Sequence, residues 1–348
     1  MRIAILSVQV PFTRGGAEIH AASLRTELDR RGFQTDIITI PFKWYPPPRL
    51  LDCMLMARLL DVTEVNGHRI DRVIALKFPA YYASHPHKVG WILHQHRQAY
   101  ELYGTDHSDL HQTPEGRRVA EAIWAWDSNL FPEFRKIFAN SRTVAARLEK
   151  YNATVAEPLY HPPAQHERFH CHEFGDYILY PGRFDVLKRQ HLIVEAMTGA
   201  PKRLRLILIG SHEGAYGQRV LHHIASTGLM DRVAVRGPVS EEEKIRLYAG
   251  CLAVYNGVFD EDYGYVTLEA FLSGKPVITH PDSGGPLEFV THEANGFVVP
   301  PEPEQIRDCL ERLVSQPHLA REMGHCGRQL LAARHLSWDY VIERLVSS

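Results

Sequence analysis

The chain has 348 residues, 45% of them hydrophobic and 23% charged, with a net charge of −2 at pH 7. This is ordinary globular composition, and the length exceeds what one compact core usually holds, so two domains are expected. A near-neutral chain without a dense basic face argues against nucleic acid as a partner, because neutralising phosphates drives that binding.

The opening "MRIAILSVQVPF" has an apolar run too short for a secretion signal, and Pro11 breaks it. Five scattered cysteines without CxxC spacing fit a reducing compartment, so the expectation is a cytoplasmic protein. Among the 21 histidines, the pairs His94/His96 and His107/His111 have ligand-like spacing but no acidic third ligand nearby, so no metal site is expected.

"RIAILSV" (2–8) reads as a buried strand, aliphatic on both faces as in parallel sheets. A glycine-containing turn, the amphipathic helix 17–31 and the strand "TDIITI" (35–40) come next. Together they make the first unit of a doubly wound α/β sheet. Residues 43–60, "KWYPPPRLLDCMLMARLL", mix basic, aromatic and aliphatic side chains. Such a segment either packs as a helix on its own domain or touches a membrane or lipid-linked acceptor. The strands 72–76, 89–93 and 136–140 continue the series, with a mainly helical stretch at 102–135 between the last two.

Residues 157–176, rich in Pro, His and Glu, read as a linker. The pattern then restarts with strands at 177–182, 204–210, 232–237, 252–256 and 276–280, separated by helical patterns. The expected fold is α/β, with two Rossmann-like doubly wound domains facing a central cleft. Their expected limits are 1–163 and 164–329, with a closing helix (about 330–348) returning to the first domain. Ligands of such sheets sit beyond the carboxyl ends of the strands, so those loops carry the candidate chemistry.

"RGG" (14–16) precedes a helix, so Gly15 and Gly16 either cradle an anion with backbone amides or simply make a tight turn. "PGRFDVLKRQ" (181–190) places Arg183 after a strand and Lys188 at the next helix start, a spacing that can clamp a diphosphate. "DSGGPLEFV" (282–290) is a second Gly-Gly loop ahead of an expected helix start, a candidate anion or hydroxyl cradle. In "FDEDYGYVTLEAFLSGKPVI" (259–278), Glu261 lies before a helix and Glu269 inside it, eight positions apart around Gly264.

The order "GRFDVLKRQ", "FDEDYGYVTLEA", "SGKPVITHPDSGGPLE" closely resembles glycosyltransferase family 4, retaining enzymes of the GT-B fold that use nucleotide sugars. The pair Glu261/Glu269 matches that family's E-x7-E signature, and "GGAE", "NSR" (140–142), "HPP" and a closing "SW" extend the likeness over nearly the whole chain. The resemblance implies a hexosyltransferase that moves a sugar from a GDP-mannose-like or UDP-hexose donor to a hydroxyl of a glycan, lipid-linked or small-molecule acceptor. It implies no cofactor and no metal.

Under it, Glu269 holds the ribose hydroxyls and Glu261 the hydroxyls of the transferred sugar. The amides of Gly264, Tyr265 and Val266 face the diphosphate, and Arg183 and Lys188 stabilise the leaving phosphate. His94 meets the donor sugar, in preference to His96, and Gly237, Pro238 and Val239 pack the nucleobase. Two departures stand out. Asp262 comes after Glu261 where glycine is usual, and Tyr265 replaces the commoner leucine. "GGPLE" (284–288) is similar to members that transfer mannose-like sugars. A working place at the inner face of a membrane is implied for lipid-linked acceptors. Two other readings use the same architecture: a nucleotide-sugar epimerase or phosphorylase, and a non-catalytic binding subunit.

Overall fold

The computed structural model describes residues 1–12, 15–334 and 336–348. The chain divides into two compact units, 1–164 with 337–348, and 165–336. In the first, strands β1 (Arg2–Gln9), β2 (Gln34–Pro41), β5 (Arg72–Lys77), β6 (Lys88–His94), β7 (Lys136–Ala139) and β8 (Glu157–Pro158) form one parallel sheet in the order β2-β1-β5-β6-β7-β8. Helices α1 (Gly16–Arg30), α2 (Pro48–Arg58), α3 (Pro114–Leu130) and α4 (Arg142–Asn152) connect it, and β3 (Glu64–Val65) and β4 (His68–Arg69) make a small antiparallel hairpin. The 102–135 stretch is helical only from Pro114, where Thr113 caps α3 by accepting a hydrogen bond from the Gly116 amide.

The second unit holds β9 (Tyr177–Pro181), α5 (Gln190–Gly199), β10 (Arg205–Ile209), α6 (Ala215–Ser226), β11 (Val233–Arg236), α7 (Glu241–Gly250), β12 (Ala253–Tyr255), α8 (Tyr265–Leu272), β13 (Val277–Thr279), β14 (Gly296–Val298), α9 (Pro303–Ser315) and α10 (Pro317–Ala333). Its sheet is parallel throughout, in the order β11-β10-β9-β12-β13-β14. The direction of strand succession reverses between β9 and β12, so the loops after these two strands diverge and leave a crevice at their carboxyl ends.

Parallel strands need cover on both faces, and the sequence supplies it. In the first unit, Ile3, Ile5, Trp91 and Leu93 face one side and Ala4, Leu6, Ala75 and Ile92 the other, all buried. The chain end α11 (Trp338–Ser347) closes the first of these faces: Trp338, Val341, Ile342 and Leu345 are buried in it. The Trp338 ring lies 6.1 Å from that of Trp91. The unit boundary falls after residue 336 and not after 329, because α10 runs to Ala333 and packs closely on the second unit. A side chain at Gly324 would collide with the Gly274 carbonyl, and one at Gly327 with the Phe271 ring.

In the two parallel sheets, two strands lay below the threshold of pattern reading, as did both strands of the β3–β4 hairpin. β8 is two residues long inside the stretch taken as linker, and β14 is three residues long and opens on a glycine. Among the described residues, no helix is long and apolar enough to cross a membrane. Residues 43–60 contain α2, which buries Leu50, Cys53, Met54 and Ala57 in its own unit while Leu51, Leu55, Met56 and Leu59 stay exposed.

Candidate functional site

The loops after β9 and β12 carry the site. After β9 the chain makes a tight turn in which Asp185 caps Val186–Lys188, its Oδ1 accepting the Leu187 amide at 2.9 Å. Buried Gln190 fixes this loop by donating to the Arg183 carbonyl at 3.0 Å. The Arg183 side chain is 62% exposed, 3.6 Å from Asp185. Lys188 points the other way, and its Nζ forms an ion pair with Glu261 Oε2. Two residues chosen from separate motifs, 73 positions apart, therefore meet.

Glu261 owes its position to backbone pairing with the second Gly-Gly loop. Its amide donates to Ser283 O at 2.9 Å, and its carbonyl accepts the Gly285 amide at 2.7 Å. A Cβ on Gly284 would lie 2.6 Å from Glu261 O, and one on Gly285 would lie 2.7 Å from Tyr263 O. The glycines at 284 and 285 therefore serve a close backbone approach. In place of the expected helix start there is one short 3-10 turn, Gly285–Glu288.

Helix α8 begins at Tyr265 with Gly264 as N-cap at φ 94°, a left-handed conformation in which only glycine is unstrained. Gly264 has no side chain with which to cap this end. The amides of Gly264, Tyr265 and Val266 thus form a helix N-terminus that begins three residues after Glu261 in the chain, with the polarity that favours an anion.

Glu269 lies in the second turn of α8, buried, and both its oxygens have partners on α7. Lys244 Nζ donates to Oε1 at 2.9 Å and the Tyr248 hydroxyl to Oε2 at 2.7 Å. Burial lowers the Lys244 pKa, but Glu269 and Glu241 outweigh it and the net shift is upward, so Lys244 stays an ammonium. Burial, then the Glu269 charge, raises Tyr248 far above its ordinary value and keeps it a neutral donor. Both residues were missed in the sequence. Their i, i+4 spacing shows only that they share a helix face, and nothing there says which carboxylate they meet.

Gly237, Pro238 and Val239 come after β11 at the surface, half-buried, exposed and half-buried in turn, with open space where a Gly237 side chain would be. In the first unit, His94 ends β6 half-buried and donates from Nδ1 to Gln95 O at 2.6 Å. His96 is buried against the Phe78 ring, 5.1 Å away, and burial followed by the charge of His94 drops its pKa to about 3. At α1, the Gly15 amide donates to the Glu18 carboxylate at 2.8 Å. The capping role of Gly15 is thus met within the chain, Gly16 is the first helical residue, and Arg14 lies outside the described residues. Among the described residues, no group of three or more His, Cys, Asp or Glu is arranged to hold a metal ion.

Residues 166–330 match the sequence model of the family described as glycosyl transferases group 1. They resemble a group 1 glycosyltransferase domain. The match covers almost all of the second unit, the part that carries both glutamates, Arg183 and Lys188. Mouse alpha-1,3/1,6-mannosyltransferase ALG2 is 29% identical over 138 residues, 38% of this chain and 33% of the mannosyltransferase. The chain thus spans about a third of the length of that relative. The D-inositol 3-phosphate glycosyltransferase of Nocardia farcinica is 25% identical over 100% of this chain and 88% of its own length. Among solved structures, sucrose-phosphate synthase (tll1590) from Thermosynechococcus elongatus superposes with a TM-score of 0.81 at 18% identity, covering 99% of this chain and 97% of that one. The two Rossmann-like units are those of the GT-B fold.

Proposed function

We propose that the protein is a retaining hexosyltransferase that takes a sugar from a nucleoside diphosphate sugar and passes it to an acceptor hydroxyl. The observation that carries this reading is the ion pair of Lys188 with Glu261, three residues before the N-terminus of α8, with Glu269 buried in the next turn. A donor laid along this line meets three chemistries in order. Glu261 accepts from sugar hydroxyls, the helix amides and Lys188 receive the diphosphate, and Glu269 accepts from the ribose. Lys244 and Tyr248 occupy one lone pair on each Glu269 oxygen and leave the others for the ribose hydroxyls.

In the reaction the bond from the anomeric carbon to the β-phosphate oxygen breaks and the acceptor oxygen bonds to that carbon from the same face. The acceptor proton passes to the departing phosphate. Negative charge builds on that phosphate, where Lys188 and the exposed Arg183 stabilise it; such electrostatic help is commonly the largest catalytic contribution. Gly237, Pro238 and Val239 meet the base through backbone, and no metal or cofactor takes part. The likeness to a mannosyltransferase favours a GDP-mannose-like donor, with a UDP-hexose as the other choice. A lipid-linked acceptor would meet the exposed Leu55 of α2 and Leu59 just after it, and sedimentation with anionic vesicles, lost in the double variant Leu55→Glu/Leu59→Glu, tests that contact.

The test of the whole reading is transfer from a panel of GDP-, UDP-, ADP- and dTDP-sugars to mixed acceptors, with release of the nucleoside diphosphate as readout. Turnover with one donor, abolished in Glu261→Gln, supports it. Epimerisation of the donor without acceptor would move the assignment to the epimerase alternative.

A further inference from the structure

Arg189 comes directly after Lys188 and has φ 54°, in the left-handed region where a side chain is strained. Glycine would suit that backbone better, so the contacts of the arginine side chain must offset the strain. Its guanidinium, 13% exposed, is held from several directions. Nε donates to Gly257 O at 2.7 Å and Nη2 to Val258 O at 2.9 Å. Nη1 and Nη2 make a two-pronged pair with Asp282, both at 2.8 Å. The Phe259 ring lies 5.6 Å from the guanidinium carbon.

These bonds gather the three loops that build the site. Beside them, the Phe259 amide donates to Leu187 O at 2.7 Å and the Asp260 amide to Asp282 O at 2.8 Å. Arg189 is thus adjacent to Lys188 in sequence, grips the backbone three residues before Glu261, and is locked to the loop that pairs with Glu261. We propose that Arg189 and Asp282 are positioning residues. They touch no reacting atom, but they hold the Lys188 ammonium and the Glu261 carboxylate in register for transfer. This rests on the reading of the site as a sugar-transfer centre. A planar fork is needed because two carbonyls and a carboxylate are gripped at once, which a single ammonium cannot do.

The test compares Arg189→Gly, Arg189→Lys and Asp282→Asn with the parent chain. Arg189→Gly relieves the backbone strain while removing the fork, so it separates positioning from folding. The expected result is a loss of kcat of roughly a hundredfold, as for a misplaced catalytic group, with donor KM changed less than about threefold. Arg189→Lys, which keeps the charge, should not rescue kcat, and Asp282→Asn should fall between. The second readout needs no turnover: acylation of lysines by acetic anhydride, measured by mass spectrometry. Lys188 should label several-fold faster in Arg189→Gly, while exposed Lys202 labels as in the parent. Parent-like kcat and parent-like Lys188 labelling in Arg189→Gly would overturn the proposal. If the parent transfers from no donor, the sugar-transfer reading fails, and the positioning proposal then stands or falls on the Lys188 labelling contrast.

Discussion

Among the described residues each unit buries one carboxylate, and the two are satisfied in opposite ways. In the first, Asp127 on α3 is fully buried and accepts hydrogen bonds from neutral hydroxyls: Tyr81 at 2.9 Å, Tyr82 at 2.5 Å and Tyr100 at 2.7 Å. Burial raises its pKa to about 6 against the pull of those bonds. In the second, Glu269 faces a cation, Lys244, with one tyrosine beside it. A carboxylate closed off by three tyrosine hydroxyls and the Gln95 amide has no acceptor capacity directed at a ligand and serves to join α3 to the turn at 80–82 and the segment after β6. One held from a single side by an ammonium and a tyrosine keeps a lone pair on each oxygen. Burial alone therefore does not mark a binding residue; the kind of partner does.

The sharpest way to break this contrast is in the second unit. Glu261→Gln and Lys188→Ala should each lower kcat by about a hundredfold or more, as for loss of a group that stabilises developing charge, with melting temperatures near the parent's. A large melting shift with intact turnover would make the pair structural. Asp127→Ala should do the reverse. Three buried hydroxyls left without their acceptor should cost about 2–4 kcal/mol, read from urea unfolding, with donor KM unchanged. Glu269→Gln should lie between the two, since it strips a buried ammonium of its counter-charge. About 2–3 kcal/mol of stability and a raised donor KM are expected together, and a change in stability alone would remove Glu269 from the donor site.

The last expected effect is a pH dependence that both units share. Burial lowers His20 to about 3 and His280 to about 4, and the Val299 carbonyl that accepts from His280 Nδ1 only partly opposes this. Both are neutral in the folded chain, whereas the unfolded chain protonates them below about pH 6.5. Their contribution is constant above that pH and declines as pH falls from about 6.5 toward 4, by up to about 1.4 kcal/mol per pH unit for each histidine. Asp127 acts oppositely: its folded pKa exceeds the ordinary value, so lowering pH from about 6 restores stability there. Between pH ~7.5 and ~5.5 the urea midpoint should therefore drop in the parent, and drop further in Asp127→Asn.

The sheets were legible because aliphatic runs such as "RIAILSV" and "LRLILIG" admit few other folds, and the donor-side motif because Glu261, Gly264 and Glu269 keep a fixed spacing. The short strands β8 and β14 were not, since two or three residues carry no period. Arg189, Asp282, Lys244 and Tyr248 were equally hidden. Each acts through a partner 21 to 93 positions away, and only the folded chain brings those partners together. The Gly-Gly loop at 284–285 has a packing role that the sequence does not display: its glycines make room for Glu261 O and Tyr263 O.

The most direct test of the central claim is calorimetric titration of the parent and of Glu269→Gln with GDP, UDP, ADP and dTDP. One nucleoside diphosphate should bind the parent and bind the variant roughly tenfold more weakly, the loss of about 1.4 kcal/mol expected when a ribose hydroxyl loses a charged acceptor. Equal affinity in both chains, or no binding by any of the four, would contradict the assignment of the second unit as a nucleotide-sugar site.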